Sequence, residues 1–400
     1  MLGREYDVAV VGAGPAGSTA ARVIAERGHR VIILERRRSV GVPVQCAEFL
    51  PTPTEISDMF PNSPRMARLV EPSPGFVVNR TSHIRLVSPK GGCFEFGFQA
   101  NILDRSRYDA DLAEKAAKAG TDLALSSRVV ARKSSKMLSV RSREEMMDIK
   151  ARVIVGADGP ASIIARSIGA SHRNRERDLS PSLHRVLSDV RVDPRVTEMI
   201  FGSQAAPGGY SWIIPSGRSV ANVGVGVRRS LVGAKHSLRD CLDHLVQRID
   251  RTSKMLSGGR IVRSVGALIP VGGPVRPSVS RNTIIVGDAA GHVMASNGGG
   301  IPTALAGGEI AGEAVSNHLE QGKPLHEYEN TWSSEFGEEL MRSLAALRFA
   351  DRVMMSDALT EVGMQIMRAR FLEPVIRCRL PLPSGLPTQL AKSAILHILG

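Results

Sequence analysis

The stretch Tyr6-Asp7-Val8-Ala9-Val10-Val11-Gly12-Ala13-Gly14-Pro15-Ala16-Gly17 decides the fold. Its apolar run predicts a buried strand, and a helical pattern follows over 16–27. After Gly28 a second apolar run, 30–34, ends at the acidic Glu35, eighteen residues beyond Gly17. This is a β-α-β opening with glycines at the turn. Gly12 permits the tight turn, Gly14 lets backbone approach a pyrophosphate, and Gly17 lets helix and strand pack closely. The helix N-terminus presents unpaired N–H groups to the phosphates, and Glu35 is placed to accept from ribose hydroxyls. A dinucleotide site is therefore expected at the start of the chain.

Four hundred residues exceed what one compact core usually holds, so two domains are expected. Apolar content of 42% with 23% charged residues excludes a disordered chain. The four cysteines, Cys46, Cys93, Cys241 and Cys378, show no C-x-x-C spacing, so no iron–sulfur cluster, metal site or disulfide framework is expected. No apolar leader opens the sequence, which with the scattered thiols points to the cytoplasm.

The net charge is +13, and 42 of the 52 basic residues are arginine. Arginine suits phosphate or carboxylate partners, but a GC-rich coding bias gives the same excess, and both readings stay open. Nucleic acid is not expected, because aromatics are only 4% and no basic run is interleaved with them. Residues 289–308 carry no charge apart from the histidine at 292, yet their glycines and Pro302 argue against a membrane span. The segment 394–399, after Arg368, Arg370, Arg377 and Arg379, reads either as peripheral on the inner face of the cell membrane or as packed on its own domain.

Further along, strands are expected at 84–88 and 93–98, then a helix at 105–119, then strands at 123–131 and 151–155. Alternating strands fill about 178–267 with one helix at 238–249, and a strand at 283–286 precedes a helix over 301–319. Two later turns resemble the additional fingerprints of the flavoprotein superfamily that includes p-hydroxybenzoate hydroxylase. They are Gly156-Ala157-Asp158-Gly159 and Gly287-Asp288-Ala289-Ala290-Gly291, each after a buried strand. The resemblance implies FAD, with Asp288 at the ribityl chain and Arg105 approaching the cofactor. Gly298-Gly299-Gly300-Ile301 opens a helix whose N–H groups would face the flavin pyrimidine edge, where charge accumulates on reduction.

Pro43-Val44-Gln45-Cys46-Ala47-Glu48 resembles the P-x-x-C-G-E segment of the geranylgeranyl reductase family, and Tyr210-Ser211-Trp212-Ile213-Ile214-Pro215 resembles its Y-x-W-x-F-P motif. The similarity runs over about residues 5 to 330 and implies an α/β (α+β mixed) fold. A Rossmann-like FAD-binding domain (1–75, 101–175, 268–330) is interleaved with an antiparallel-sheet substrate domain (76–100, 176–267), ahead of a helical region over 331–400. The implied cofactor contacts are Gly12, Gly14, Pro15, Ala16, Gly17, Glu35, Cys46, Ala47, Phe49, Arg105, Val129, Asp158, Gly287, Asp288, Gly299, Gly300 and Ile301. Tyr210 and Trp212 would line the substrate pocket, although two aromatics on one strand face are also ordinary core.

The implied activity is saturation of isoprenoid double bonds on geranylgeranyl glycerophospholipids, with ferredoxin, NAD(P)H or a deazaflavin system as reductant. Cys46 is the candidate proton donor, with Glu48 or a water as the alternative. Ala47 replaces the family's glycine, Ser216 its lysine, and Ala295-Ser296-Asn297 the usual Asp-Pro before the glycines. Two alternatives remain: an aromatic monooxygenase or halogenase, and a non-catalytic FAD protein that carries isoprenoid lipid. Halogenases need an early lysine, and the first here is Lys90.

Overall fold

The computed structural model describes residues 5–143, 145–170, 175–228, 237–354 and 356–379. The segment 394–399 lies outside them. The N-terminal unit forms as its pattern dictates: strand Glu5–Val11, helix Pro15–Glu26 and strand Val31–Leu34. All four residues of the second strand are buried, as a parallel strand covered on both faces requires. The first strand pairs in parallel with the second on one side and with Glu145–Gly156 on the other. Thr283–Ile285 and Asp122–Ala124 extend this parallel core at its two ends.

A second sheet of eight strands runs in the order Arg260–Pro270, Leu179–Ser188, Val220–Gly226, Tyr210–Pro215, Val196–Ile200, Val77–Val87, Cys93–Leu103, Phe49–Pro51. It is antiparallel except where Val196–Ile200 lies parallel to Val77–Val87. Its strands come from several separated stretches of chain, so the polypeptide passes repeatedly between the two sheets. Phe49–Pro51 falls within 1–75 yet pairs with Cys93–Leu103 of this second sheet.

Two expectations are corrected. The single strand at 123–131 is two strands, Asp122–Ala124 and Ser127–Ser134, separated at Ser126, whose φ of 52° turns the chain. The strand at 151–155 is the end of a longer one that forms an antiparallel wing with Met137–Ser142 and Ser127–Ser134. The wing's alternating polar residues leave no continuous apolar run to read.

The uncharged stretch at 289–308 is explained by packing rather than lipid. Helix Ile301–Gln321 lies against helix Pro15–Glu26 so closely that a β-carbon at Gly308 would sit 2.4 Å from the Ala16 carbonyl oxygen. Among the described residues, no helix is long and apolar enough to cross a membrane. Helices Glu338–Val353 and Asp357–Ile376 pack on each other, and the latter also packs on strand Cys93–Leu103 of the second sheet.

Candidate active site

A cavity of about 330 Å³ lies between the sheets, and two helix N-termini meet at its wall. Gly14, Pro15 and Ala16 come from one, Gly299, Gly300, Ile301 and Pro302 from the other. Neither helix has a side-chain cap, so its first-turn N–H groups lack side-chain partners where the cavity begins. That is the arrangement an anionic ligand satisfies.

The glycine loop is shaped by contact. Gly12 has a φ of 103°, and a β-carbon at Gly17 would lie 2.0 Å from the Gly12 carbonyl oxygen. A β-carbon at Gly14 would instead meet nothing within 4 Å, because that side opens on the cavity. The space that Gly14 leaves is the one a pyrophosphate would fill, so the residues fit a dinucleotide. Glu35, at the end of the second strand, accepts from Ala13 N (2.9 Å) and Arg37 N (2.8 Å), which joins the acid to the loop.

Asp288 lies on the same wall, and burial pushes its carboxyl up to about 6 against the opposing charge of Arg105. Arg105 is clamped by Asp109 through two bonds of 2.8 and 2.9 Å, and its Nη1 donates to Cys46 Sγ at 3.0 Å. The Glu48 N–H also donates to this sulfur, at 3.2 Å. Burial nonetheless raises the Cys46 thiol above its ordinary value, outweighing Arg105, so the proton stays on sulfur at neutral pH.

Asn222 is fully buried and ties the cysteine loop to the second sheet. It accepts from Trp212 Nε1 at 3.0 Å and donates to the Cys46 carbonyl at 3.3 Å and to Glu48 Oε2 at 3.2 Å. Glu48 also receives Arg263 Nη2 at 3.3 Å. Trp212 in turn fills the place of a side chain at Gly224, where a β-carbon would approach its ring to 2.2 Å.

Tyr210 and Trp212, with ring centroids 6.1 Å apart, line this cavity and also a second one of about 280 Å³. The second cavity is walled mainly by apolar residues, including Phe201, Val271, Leu347, Met364 and Leu372. Ile269, Gly298 and Ile376 are shared by the two, so the spaces adjoin.

The segment 295–297, where the sequence departs from the family pattern, has its own bonding. Asn297 Oδ1 accepts from Gly299 N at 2.8 Å, its Nδ2 donates to the Ile376 carbonyl at 2.9 Å, and its carbonyl accepts from the Tyr210 hydroxyl. Asn297 thus links the glycine turn, helix Asp357–Ile376 and strand Tyr210–Pro215.

Of the anticipated residues, Gly14, Pro15, Ala16, Cys46, Ala47, Phe49, Arg105, Tyr210, Trp212, Gly287, Asp288, Gly299, Gly300 and Ile301 share the first cavity. Gly12, Gly17 and Glu35 support the loop behind it. Val129 packs its side chain into the core with Val11 and Leu34. The Asp158 carboxylate accepts from Ser162 Oγ (2.5 Å) and Ile163 N (2.7 Å) at the start of helix Ile163–Ser167, while its neighbours Ala157 and Gly159 reach the cavity wall.

Sequence reasoning missed His184, Gln45 as a wall residue, and Asn222. His184 shares a strand face with Ser182, and both line the cavity. Burial and Arg263 push its imidazole down to about 4, which keeps it neutral, and Nε2 has no hydrogen-bond partner among the described residues. A polar residue within the buried run 221–227 was the available signal for Asn222.

Fold and cavity together define a dinucleotide-binding protein of the Rossmann-like class, with a largely antiparallel second sheet closing the site. A family model described as the geranylgeranyl reductase catalytic domain matches residues 178–269, and one for an NAD(P)-binding Rossmann-like domain matches 10–66. The chain is 33% identical to digeranylgeranylglycerophospholipid reductase of Methanothrix thermoacetophila, over 88% of this chain and 89% of that protein. It is 34% identical to digeranylgeranylglycerophospholipid reductase 1 of Methanopyrus kandleri, over 83% and 87% respectively. A geranylgeranyl bacteriochlorophyll reductase-like protein of Thermoplasma acidophilum superposes with a TM-score of 0.78 at 26% identity, covering 99% of this chain and 96% of that one. The flavin-dependent brominase Bmp2, 16% identical with a TM-score of 0.70 and 98% of each chain covered, shares the fold. The chain belongs to the geranylgeranyl reductase family.

Proposed function

We propose that the protein saturates isoprenoid C=C bonds of digeranylgeranylglycerophospholipids. The observation that carries this reading is the apolar second cavity, joined at Tyr210 and Trp212 to the cavity that fits the cofactor. Bound FAD supplies the two-electron reducing chemistry. Saturating an isolated double bond adds a hydride to one carbon and a proton to its neighbour, and the chain must provide that proton. Cys46 holds one on Sγ, stabilised by burial, at the wall between the glycine loop and the aromatics. Arg105 and the Glu48 N–H fix the sulfur, and Asn222 fixes the loop behind it. Tyr210 and Trp212 exclude water and orient the chain. Incubating the reduced protein with geranylgeranyl glycerophospholipid tests the function: product mass should rise by one hydrogen pair per bond, and unchanged mass refutes it.

Asp288 supports the cofactor reading and gives it a pH dependence. Its ionised carboxylate would accept from a ribityl hydroxyl, whereas the neutral acid accepts less well. FAD affinity should therefore rise as pH passes upward through about 6, and Asp288→Asn should flatten the profile. For the cofactor-free fold the sign is opposite: a raised carboxyl stabilises at low pH, and that stability is lost as pH rises through about 6. Flavin fluorescence titrations across this range check it, and a flat wild-type profile removes Asp288 from the ribityl site.

A membrane-bound lipid also calls for peripheral contact with an anionic bilayer. Leu359, Val362 and Ile366 are 55%, 54% and 74% exposed, at i, i+3 and i+7 on helix Asp357–Ile376, with exposed Arg368 and Arg370 just beyond. An apolar stripe beside arginines suits an interface carrying anionic head groups. Co-sedimentation with anionic vesicles should fall severalfold in Ile366→Asp; equal sedimentation of variant and wild type would exclude this face.

A further inference from the structure

The wing of the first sheet carries arginines that the fold does not use. Arg128 and Arg141 stand directly opposite each other on strands Ser127–Ser134 and Met137–Ser142, and Met146 stands opposite Arg141 on Glu145–Gly156. Residues paired in this way share a sheet face, and all three are exposed. Their neighbours Val129 and Val140 turn the other way into the core. Arg143 lies at the next turn, where its N–H donates to the Ser126 carbonyl at 3.4 Å. Ser126 N donates in turn to the Arg37 carbonyl at 2.9 Å, which stitches the loop bearing exposed Arg36 and Arg38 to the wing.

Among the described residues, the side chains of Arg36, Arg38, Arg128, Arg141 and Arg143 make no ion pair and no hydrogen bond. Carboxylates of the same segments are engaged elsewhere, Glu35 with the Ala13 and Arg37 N–H groups and Asp148 with Lys133 at 2.8 Å. Like charges directly opposite destabilise a sheet, so the fold gains nothing from the Arg128–Arg141 pair. The same segments expose three apolar side chains, Val42, Leu125 and Met146, at 50%, 38% and 54%. Apolar residues set among arginines are the composition of a protein-binding surface. This face also borders the first cavity. Arg37 donates to the Pro43 carbonyl at 3.2 Å and to Gln45, which stands on the cavity wall with Cys46.

We propose that this arginine face docks an acidic electron-carrier protein that supplies the reducing equivalents. The proposal rests on the reductase reading, in which each double bond saturated takes up two electrons and two protons. Two one-electron donor molecules, oxidised in succession, supply the electrons, and water supplies the protons. The sequence holds a single G-x-G-x-x-G, the one at Gly12, so a second dinucleotide has no fingerprint of its own. A second copy of this chain is opposed by the net charge of +13 on each. Nucleic acid calls for aromatic stacking platforms, and none of the residues of this face is aromatic. A bilayer is better met by the apolar stripe of helix Asp357–Ile376, which packs on the second sheet, than by three apolar side chains dispersed among guanidinium groups. Complementary charge speeds the encounter of two proteins, which suits a partner that must bind, deliver and leave.

The test uses FAD-loaded protein without lipid, and a small acidic 2Fe–2S ferredoxin as the probe. The double variant Arg128→Gln, Arg141→Gln removes two like charges from an exposed face, so the fold is not weakened. At low ionic strength its dissociation constant for oxidised ferredoxin should rise at least about tenfold, and flavin reduction by subsaturating reduced ferredoxin should slow by a similar factor. Added salt should slow the wild type far more steeply than the variant. Reduction by dithionite, which needs no docking, should change little. Equal ferredoxin binding by variant and wild type overturns the proposal, as does a wild type that reduced ferredoxin leaves oxidised. An equal loss of rate with dithionite and ferredoxin makes the face a small-anion site and also overturns it. So does weaker sedimentation of the variant with anionic vesicles at unchanged ferredoxin affinity, which makes the face a membrane contact. Because flavin colour is read with no lipid present, failure here is distinct from failure of the reductase reading, which the dithionite-driven lipid assay measures.

Discussion

Replacing Cys46 by alanine should leave a protein that still binds FAD but turns over about a hundredfold or more slowly, the usual contribution of a positioned acid. The sulfur sits on the cavity wall with two donors directed at it, Arg105 Nη1 and the Glu48 N–H. Those contacts alone would favour thiolate. Burial opposes them and prevails, so the raised thiol remains protonated through neutral pH and can give its proton to carbon. Turnover should therefore hold at neutral pH and decline on the alkaline side, as the thiol ionises. Cys46→Ser, with a hydroxyl that ionises far less readily, should lose turnover without that alkaline limb. Steady-state rates and flavin content of the two variants check this, and wild-type turnover in Cys46→Ala would remove the thiol from the reaction.

The second large effect is expected at Gly17. A β-carbon there would stand 2.0 Å from the Gly12 carbonyl oxygen and 3.1 Å from Ala157 Cβ. Backbone occupies the space, so no side chain can swing aside. Either helix Pro15–Glu26 moves away from its strand or the loop that cradles the phosphates opens. Overpacking of this kind destabilises by about 1–3 kcal/mol, and the cofactor suffers more because its seat is the displaced loop. Gly17→Val should purify with little or no flavin and a lowered melting temperature. Full flavin occupancy would show that the dinucleotide does not sit on this turn.

The Rossmann-like opening was legible because its signals are local: an apolar run, three glycines, a helix period and an acid within thirty residues. The late Gly287-Asp288 turn was legible for the same reason, and the cavity does gather it with Gly14 and Cys46. The wing at 127–156 was only partly visible, since its strands alternate polar residues and one turn rests on Ser126 at positive φ.

The supporting network was not legible. Asn222 bonds Cys46 across 176 positions and Arg228 bonds Asp351 across 123, and nothing local in sequence records such pairings. Asp158 shows the converse limit, because a fingerprint residue can spend its carboxylate on a helix start while its neighbours reach the cavity. The departures at 295–297 also gain a physical reading only in three dimensions, as Asn297 binds the glycine turn to the Tyr210 hydroxyl and helix Asp357–Ile376.

The most direct measurement mixes the fully reduced, FAD-loaded protein with geranylgeranyl glycerophospholipid in the absence of oxygen and follows flavin colour and lipid mass in the same sample. Reoxidation should be matched, one flavin for each double bond lost, and Cys46→Ala should slow both together. Lipid that binds while the flavin stays reduced and every double bond survives would contradict the account, leaving a carrier in place of a reductase.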